Sequence, residues 1–285
     1  MGVNMCRVVY LNNEFVNEKE AKISIFDRGF LFADAVYEVT TVLDGELVGF
    51  REHLNRLKQS LLKLNYNFKI EEEKILWIHR KLIKENDLKD GLVYLQISRG
   101  VSERNFIYSK ETEPTLVLFT QKESLLAPNR LNRKLKVISV PDIRWQQRDI
   151  KTTQLLAASM MKTKAKEMGK DDAWMLEGEF ITEGTSNNAF IIDNSGKLIT
   201  RNLSHMILPG VTRAFLIKLA WELKIPVEER PFTLKEAYNA SEAFITSATN
   251  FITSVVEIDD ILIGKGTIGP ITLRLRKRYL QTISS

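Results

Sequence analysis

Cysteine is almost absent from this chain, since Cys6 is the only one among 285 residues. A single cysteine excludes an internal disulfide and favours a reducing compartment, so we expect a cytoplasmic protein. No apolar run approaches the roughly 18 residues of a membrane span, and no secretory signal is recognised before the first predicted strand. We therefore expect no membrane partner.

Charge of one sign is also not in large excess. The chain has 41 lysine and arginine residues against 36 acidic ones, for a net charge of +5. The densest basic cluster, residues 274–278, has no interleaved aromatic side chains and falls in a predicted helix. This pattern favours a solvated helix face over a nucleic-acid site, so no nucleic-acid partner is expected.

The order of predicted elements indicates two domains. Hydrophobic periodicity predicts alternating strands and helices in the first part of the chain. These are a hairpin at 8–16, strands at 22–26, 92–98 and 115–120, and helices at 52–64 and 71–86. Residues 121–133 lack an apolar period and are predicted to be a linker between an N-terminal domain, 1–120, and a C-terminal domain, 134–285.

The C-terminal domain is predicted to be mixed α/β as well. It begins with a strand at 134–141, followed by a helix from about 152 to 168 and short strands between 173 and 199. Gly264, Gly266 and Gly269 match a dinucleotide-binding pattern. Only 16 residues follow, too few for the returning strand and ribose-binding acid of such a site, so a loop before a last helix is expected.

Two polar segments near the middle of the chain contain the first candidates for chemistry. Lys151 lies in the segment 148–156 and Glu183 in the segment 181–188. A lysine near an acidic residue is usually just a solvated charge. Lys151, however, falls at a predicted strand-to-helix junction, where rigid elements can hold a side chain in place.

Further candidates suit an anion or a small substrate. The guanidinium of Arg56, three residues after His53, can donate two parallel hydrogen bonds to a phosphate. Val211 and Thr212 follow a Pro-Gly turn at a predicted helix start, where free amides bind phosphate. Tyr37, on a predicted strand, suits either a core or a substrate site.

Together, and in this order, these segments resemble the fold-type IV pyridoxal-phosphate (PLP) enzymes. That group includes D-amino-acid aminotransferases, branched-chain aminotransferases and aminodeoxychorismate lyases, and the match is closest to the first. The resemblance covers nearly the whole chain. It implies an α/β (α+β) protein of two domains, a small N-terminal α+β domain and a larger, barrel-like C-terminal α/β domain that binds PLP. It also implies a homodimer.

The resemblance implies a role for each candidate. Lys151 would form the Schiff base with PLP and carry the proton between Cα and C4′, while Glu183 would bind the pyridine nitrogen. Tyr37 would line the substrate side, and no metal is expected. The remaining residues expected to bind the cofactor are Arg56, Leu208, Val211, Thr212, Ser247 and Thr249, with the register around Ala248 left open.

One position departs from the family pattern and leaves the substrate open. D-amino-acid aminotransferases of the best-known type carry an arginine and a histidine that hold the substrate α-carboxylate. This chain has Arg104 but Phe106 where the histidine would be. We expect transamination of D-amino acids with 2-oxo acids, of the type D-alanine plus 2-oxoglutarate, with Arg28 or Arg104 from the neighbouring subunit replacing the histidine.

Other activities remain alternatives at this stage. The pocket could accept (R)-amines that lack a carboxylate, or the chain could be a branched-chain aminotransferase. An aminodeoxychorismate lyase would use the same fold and the same lysine. A PLP-binding protein without turnover is disfavoured by the joint presence of Lys151, Glu183, Arg56 and Tyr37.

Overall fold

A computed structural model describes residues 6–283, and the chain divides into two compact units. The first unit runs to Ser124 and also includes Ile150–Gln154. The second contains Leu125–Asp149 and the chain from Leu155 onward. The segment 150–154, which the sequence analysis assigned to the C-terminal domain, thus lies in the first unit.

The first unit is an antiparallel sheet covered by helices. Its six strands have the order β2-β1-β6-β5-β3-β4. They are β1 (Val8–Leu11), β2 (Glu14–Asn17), β3 (Ala35–Leu43), β4 (Glu46–Val48), β5 (Gly91–Ser98) and β6 (Thr115–Lys122). The helices are α1 (Arg28–Phe32), α2 (Phe50–Lys63) and α3 (Glu72–Glu85). Leu54, Leu57 and Leu61 recur on one side of α2 and are buried, as the helical period predicts.

The predicted strand at 22–26 is wrong. Within residues 6–283 this segment forms no ladder, and the adjacent Asp27 forms an isolated bridge with Val101. Ile23, Ile25 and Phe26 are exposed, so the alternation of polar and apolar residues does not reflect one buried face. Without a neighbouring strand to pair with, an alternating pattern alone does not produce a strand.

The second unit is built on a nine-stranded mixed sheet. Eight strands have the order β12-β11-β10-β13-β14-β7-β8-β9, and β15 pairs with β14. The strands are β7 (Lys134–Pro141), β8 (Asp172–Glu177), β9 (Phe180–Gly184), β10 (Asn188–Ile192), β11 (Leu198–Thr200), β12 (Val227–Glu229), β13 (Glu242–Ser247), β14 (Phe251–Ile258) and β15 (Ile261–Leu262). The helices are α4 (Pro128–Leu131), α5 (Leu156–Glu167), α6 (Val211–Glu222), α7 (Leu234–Tyr238) and α8 (Pro270–Ile283).

The sheet of the second unit curls back on itself. β9 lies at one end of the strand order, yet the Gly184 amide donates to the Asn187 carbonyl just before β10, at 2.9 Å. Helix α5 packs on β7 and β8, whereas α6 and α8 pack near β13 and β14. The mixed α/β architecture and the curled sheet match the fold class that the sequence predicts.

Helix α5 begins later than predicted, and this changes the setting of Lys151. The helix starts at Leu156, not near Thr152. Thr152 instead forms a bridge with Val36, and the Thr153 amide donates to the Ala35 carbonyl at 3.0 Å. Lys151 therefore lies beside β3 rather than at a strand-to-helix junction.

The glycine-rich loop before the last helix has a structural role. The Glu242 carboxylate caps α8, accepting from the amides of Ile271 and Thr272 at 2.9 and 2.7 Å. A Cβ atom at Gly269 would lie 2.0 Å from the Glu242 side chain. The glycine at this position leaves room for the cap, and the loop precedes the last helix, as predicted.

The basic cluster lies in α8 but is not entirely a solvated face. Arg276 is buried and donates to the Leu131 carbonyl, whereas Arg278 lies 3.6 Å from the Glu222 carboxylate. Across residues 6–283, no helix is both long enough and apolar enough to cross a membrane.

Candidate active site

Lys151 is held against β3 of the first unit by its backbone. Its carbonyl accepts from the Tyr37 amide at 3.0 Å, and its amide donates to the Ser60 hydroxyl at 3.3 Å. The side-chain Nζ lies 4.1 Å from the centre of the Tyr37 ring. Within residues 6–283, Lys151 forms no ion pair, so its amine is not committed to a carboxylate. Such an amine can act as a nucleophile once it is neutral.

Tyr37 is half-buried at the end of an aromatic row in the first unit. Its ring stacks on Tyr94 with centroids 5.5 Å apart, and Tyr94 stacks on Phe119 at 4.7 Å. Lys151 Nζ also lies against the Tyr37 ring. The structure thus brings together the tyrosine and the lysine that the sequence analysis selected separately.

A buried carboxylate that the sequence analysis missed fixes Arg56. The two Glu38 oxygens accept from Arg56 Nε at 2.8 Å and Nη2 at 2.7 Å, and His53 Nδ1 lies 2.7 Å from Oε2. Burial opposes ionisation of Glu38, but Arg56 and His53 lower its pKa to about 2. The sequence contains a signal for this contact, because Glu38 follows Tyr37 on a predicted strand and its side chain therefore points to the opposite face.

Glu183 is buried on β9 of the second unit and accepts several hydrogen bonds. Arg144 Nη1 donates to Oε1 at 2.7 Å, and the Asn188 side-chain amide donates to Oε2 at 3.0 Å. The Leu208 amide donates to Oε2 at 3.1 Å, which places Leu208 directly beside this carboxylate. Burial raises the pKa of Glu183, although Arg144 and the Leu208 amide act in the opposite direction.

Asp142 lies behind this pair and orients the arginine. Arg144 donates to both Asp142 oxygens, from Nε at 3.0 Å and Nη2 at 2.7 Å. The Thr182 hydroxyl adds a 2.7 Å bond to Oδ2, and Arg148 Nε lies 3.4 Å from it. The carboxylate of Glu183 is therefore held by an arginine that a second carboxylate holds in turn.

The start of α6 presents unpaired amides to an anion. Its N-cap, Gly210, has no side chain to accept from the first turn. Within the described residues, the amides of Val211 and Thr212 have no hydrogen-bond acceptor. Ser247 ends the neighbouring β13, and its hydroxyl oxygen accepts from the Asn250 amide at 3.0 Å, which leaves its proton to donate. Thr249 lies beyond the strand, in the turn to β14.

This donor set fits the phosphate of a cofactor such as PLP. Main-chain amides at the start of a helix of 12 residues, with an adjacent hydroxyl, are the groups that bind phosphate in proteins. The buried Glu183 carboxylate in the same unit suits a protonated ring nitrogen. The second unit thus holds groups for both polar ends of such a molecule.

The two arginines proposed for substrate binding differ sharply in setting. Arg28 is buried, with Nε 2.9 Å from Asp34 Oδ2 and Nη1 2.6 Å from the Asn105 carbonyl. Arg104 lies on an exposed loop and, in the described part of the chain, contacts only the rings of Phe32 and Phe106 among charged or aromatic groups. This placement argues against Arg28 as the substitute for the missing histidine. Arg104 then remains as the candidate for binding the substrate carboxylate.

The chain is similar to known proteins along almost its entire length. The family model described as "Amino-transferase class IV" matches residues 35–258. A D-alanine aminotransferase of Staphylococcus aureus (strain MSSA476) is 34% identical over 279 residues, covering 97% of this chain and 98% of that protein. A D-alanine aminotransferase of Listeria monocytogenes serotype 4b is 34% identical, covering 96% of each chain.

Solved structures show the same fold. A branched-chain amino acid aminotransferase of Escherichia coli superposes with a TM-score of 0.90 at 22% identity, covering 98% of this chain and 95% of that one. A putative 4-amino-4-deoxychorismate lyase of Legionella pneumophila gives a TM-score of 0.85 at 25% identity, covering 93% and 96%. The first likeness concerns the fold alone.

Replacement of Arg144 tests the buried charge network. Arg144→Met leaves Asp142 and Glu183 buried without their main cation, so we expect the free energy of unfolding to fall by about 3–5 kcal/mol. The pKa values of these carboxyls in the folded variant would rise, so stability would be lost as the pH increases and the deficit would be smaller near pH 5 than near pH 8. Urea unfolding followed by tryptophan fluorescence measures both effects.

The matched control is Arg133→Met, which removes an exposed arginine 2.9 Å from Asp171. Surface pairs contribute about 0–1 kcal/mol, so little change is expected there. Equal losses in the two variants would contradict the network.

Proposed function

The chain belongs to the class IV aminotransferases, and on that premise we propose that it transfers amino groups from D-amino acids to 2-oxo acids with PLP as cofactor. The reaction would be of the type D-alanine plus 2-oxoglutarate giving pyruvate plus D-glutamate. Two D-alanine aminotransferases, each similar over nearly their full length, support this donor class. The structural observation that carries the proposal is the position of the Lys151 amine, which lies on the Tyr37 ring and has no carboxylate partner among residues 6–283.

Lys151 has two tasks in this proposal. When bound, PLP supplies an aldehyde that condenses with amines and a ring that withdraws electrons. Lys151 would hold PLP at its aldehyde, and its free amine would carry the proton from the substrate Cα to the cofactor. Tyr37 holds the lysine side chain by its ring face, and the hydrogen bond between the Tyr37 amide and the Lys151 carbonyl fixes the backbone.

Glu183 is proposed to bind the pyridine nitrogen and keep it protonated. Arg144 fixes the position of the carboxylate and stabilises its ionised form, opposing the effect of burial. The Leu208 amide donates a hydrogen bond to Oε2 of the same carboxylate. With the Asn188 side-chain amide, three hydrogen-bond donors define the orientation of Glu183.

The phosphate is proposed to bind at main-chain amides and at Arg56. In the second unit, the amides of Val211 and Thr212 and the Ser247 hydroxyl supply the donors, with Thr249 as a further candidate. In the first unit, Arg56 is held in one orientation by Glu38. Membership of the family joins these two sets in a single proposal.

The α-carboxylate of the substrate is proposed to bind at Arg104. Its guanidinium is exposed, has no ion pair within residues 6–283 and is flanked by the rings of Phe32 and Phe106. An arginine without an anion is suited to carboxylate recognition. Branched-chain aminotransferase and lyase activities remain alternatives, since a fold shared with such proteins does not select a reaction.

A homodimer is also proposed, supported by apolar exposure in the first unit. Ile25, Phe30, Phe106 and Ile107 are each at least 67% exposed, and an Asp27–Val101 bridge joins their two segments. Soluble monomers rarely expose large apolar patches. Sedimentation velocity at micromolar concentration should show a dimer, and a single species of monomer mass would contradict this proposal.

Lys151→Ala should abolish turnover, because both the attachment point and the proton carrier are lost. The purified wild type should be yellow with PLP bound, and its absorption band should change when D-alanine is added. Lys164→Ala, which removes an exposed lysine of α5, is the control and should keep full activity. Near-normal turnover by the Lys151 variant would refute the proposed function.

A panel of donors separates the remaining substrate classes. We expect the PLP band to be converted rapidly by D-alanine and D-glutamate, and slowly or not at all by L-leucine and (R)-1-phenylethylamine, which lacks a carboxylate. Single-turnover absorbance measures each half-reaction. Rapid conversion by L-leucine with none by D-alanine would assign the chain to branched-chain substrates, and preference for the amine would remove Arg104 from substrate binding.

A further inference from the structure

Asp34, in the first unit, binds two buried arginines with a single oxygen. Arg28 Nε donates to Oδ2 at 2.9 Å and Arg99 Nε donates to the same atom at 2.8 Å. The Tyr66 hydroxyl donates to the Asp34 carbonyl at 2.7 Å and lies 3.1 Å from Oδ1. Burial opposes ionisation, but the hydrogen bonds from Arg99 and Arg28 hold the pKa of Asp34 below its ordinary value. The ionised Asp34 carboxylate is therefore a junction within the first unit, at which Arg28 and Arg99 meet.

Both arginines extend from this junction to the loop 102–114, which connects the end of the β5 region to β6. Arg28 Nη1 donates to the Asn105 carbonyl at 2.6 Å. The Arg99 guanidinium lies 3.8 Å from the centre of the Tyr108 ring on one side and 4.2 Å from the Tyr66 ring. The loop contains no helix or strand of its own, so side-chain contacts such as these must fix its position.

Arg104 directly precedes Asn105 in this loop and lies near the Phe32 ring of α1. Its guanidinium is 5.7 Å from the Phe32 ring and 5.5 Å from the Phe106 ring, which meet edge to face at 5.6 Å. The Arg28 guanidinium also contacts this Phe32 ring, at 4.3 Å from its centre. The direction in which Arg104 points thus depends on Asn105, Phe32 and Phe106, and two of these contact Arg28.

We propose that Asp34 is a positioning residue for carboxylate recognition, which fixes the loop bearing Arg104 through Arg28 and Arg99. The proposal rests on the proposed function, in which Arg104 binds the substrate α-carboxylate. Asp34 and Arg28 touch no substrate in this account. Their role is to hold the loop in one conformation. A single exposed arginine, Arg104, can then bind the substrate carboxylate without the histidine of the family pattern.

Asp34→Asn tests the proposal, because it keeps the shape of the side chain but removes its charge. The KM for D-alanine should rise about tenfold, as expected when a charge-assisted hydrogen bond is weakened, with kcat nearly unchanged. PLP affinity, measured by titration of the apoenzyme, should stay the same. Trypsin should cleave the Asp34→Asn holoenzyme faster than the wild-type holoenzyme after Arg104 or Lys110 in the loop, since the anchors are weakened.

Tyr108→Ala is the second variant and avoids disturbing the buried pair. Tyr108 is 37% exposed, so its loss should leave the fold intact while removing the ring on which Arg99 stacks. The same rise in KM and in loop cleavage is expected. The control is Glu257→Gln, which removes a carboxylate paired with Lys170 in the second unit and should change neither quantity.

The outcomes separate the two proposals. Unchanged KM and unchanged loop cleavage in both variants would overturn the role of Asp34. A fall in kcat with constant KM would also overturn it, because a loop that binds carboxylate should affect substrate binding first. A wild-type enzyme inactive toward every amino acid would refute the proposed function, while the trypsin experiment would still decide whether Asp34 holds the loop.

Discussion

Carboxylates that are buried or half-buried and bind arginines determine the position of the candidate functional residues in each unit. Glu38 holds Arg56, Asp142 holds Arg144 against Glu183, and Asp34 holds Arg28 and Arg99. Taking such charges out of water is expensive, and removal of one partner typically costs about 3–5 kcal/mol. These pairs therefore contribute little net stability, but they penalise every alternative arrangement of the groups involved. Precise placement of a reactive group requires this kind of support from behind.

Local patterns in the sequence predicted much of the fold, and non-local pairing explains most of the errors. Helices α2 and α3 were predicted within two residues because their buried faces repeat at helical spacing. Strand β7 was predicted with its observed bounds. The start of α5 was wrong because Thr152 pairs with Val36, a partner distant in sequence. The false strand at 22–26 is the converse case, an alternating pattern that pairs with no strand in the described part of the chain.

The same distinction applies to the candidate site. Residue types with an obvious chemistry, such as Lys151 and Glu183, could be selected from the sequence with the help of the family pattern. Their supports could not, because Glu38 and Asp34 acquire a role only when another strand or helix brings an arginine to them. Arg28 illustrates the limit, since an arginine in a family motif looks available for a ligand until its burial is known.

The pairing of residues 150–154 with β3 has a consequence for synthesis of the chain. The N-terminal half of β3 forms a ladder with β5 on one edge, and its other edge is completed by the segment around Lys151. That segment emerges from the ribosome after the whole of β1–β6 and the first strand of the second unit. Until then the nascent first unit exposes an unpaired strand edge, a feature that promotes aggregation. This edge of the first sheet can therefore be paired only after Lys151 and its neighbours have been synthesised.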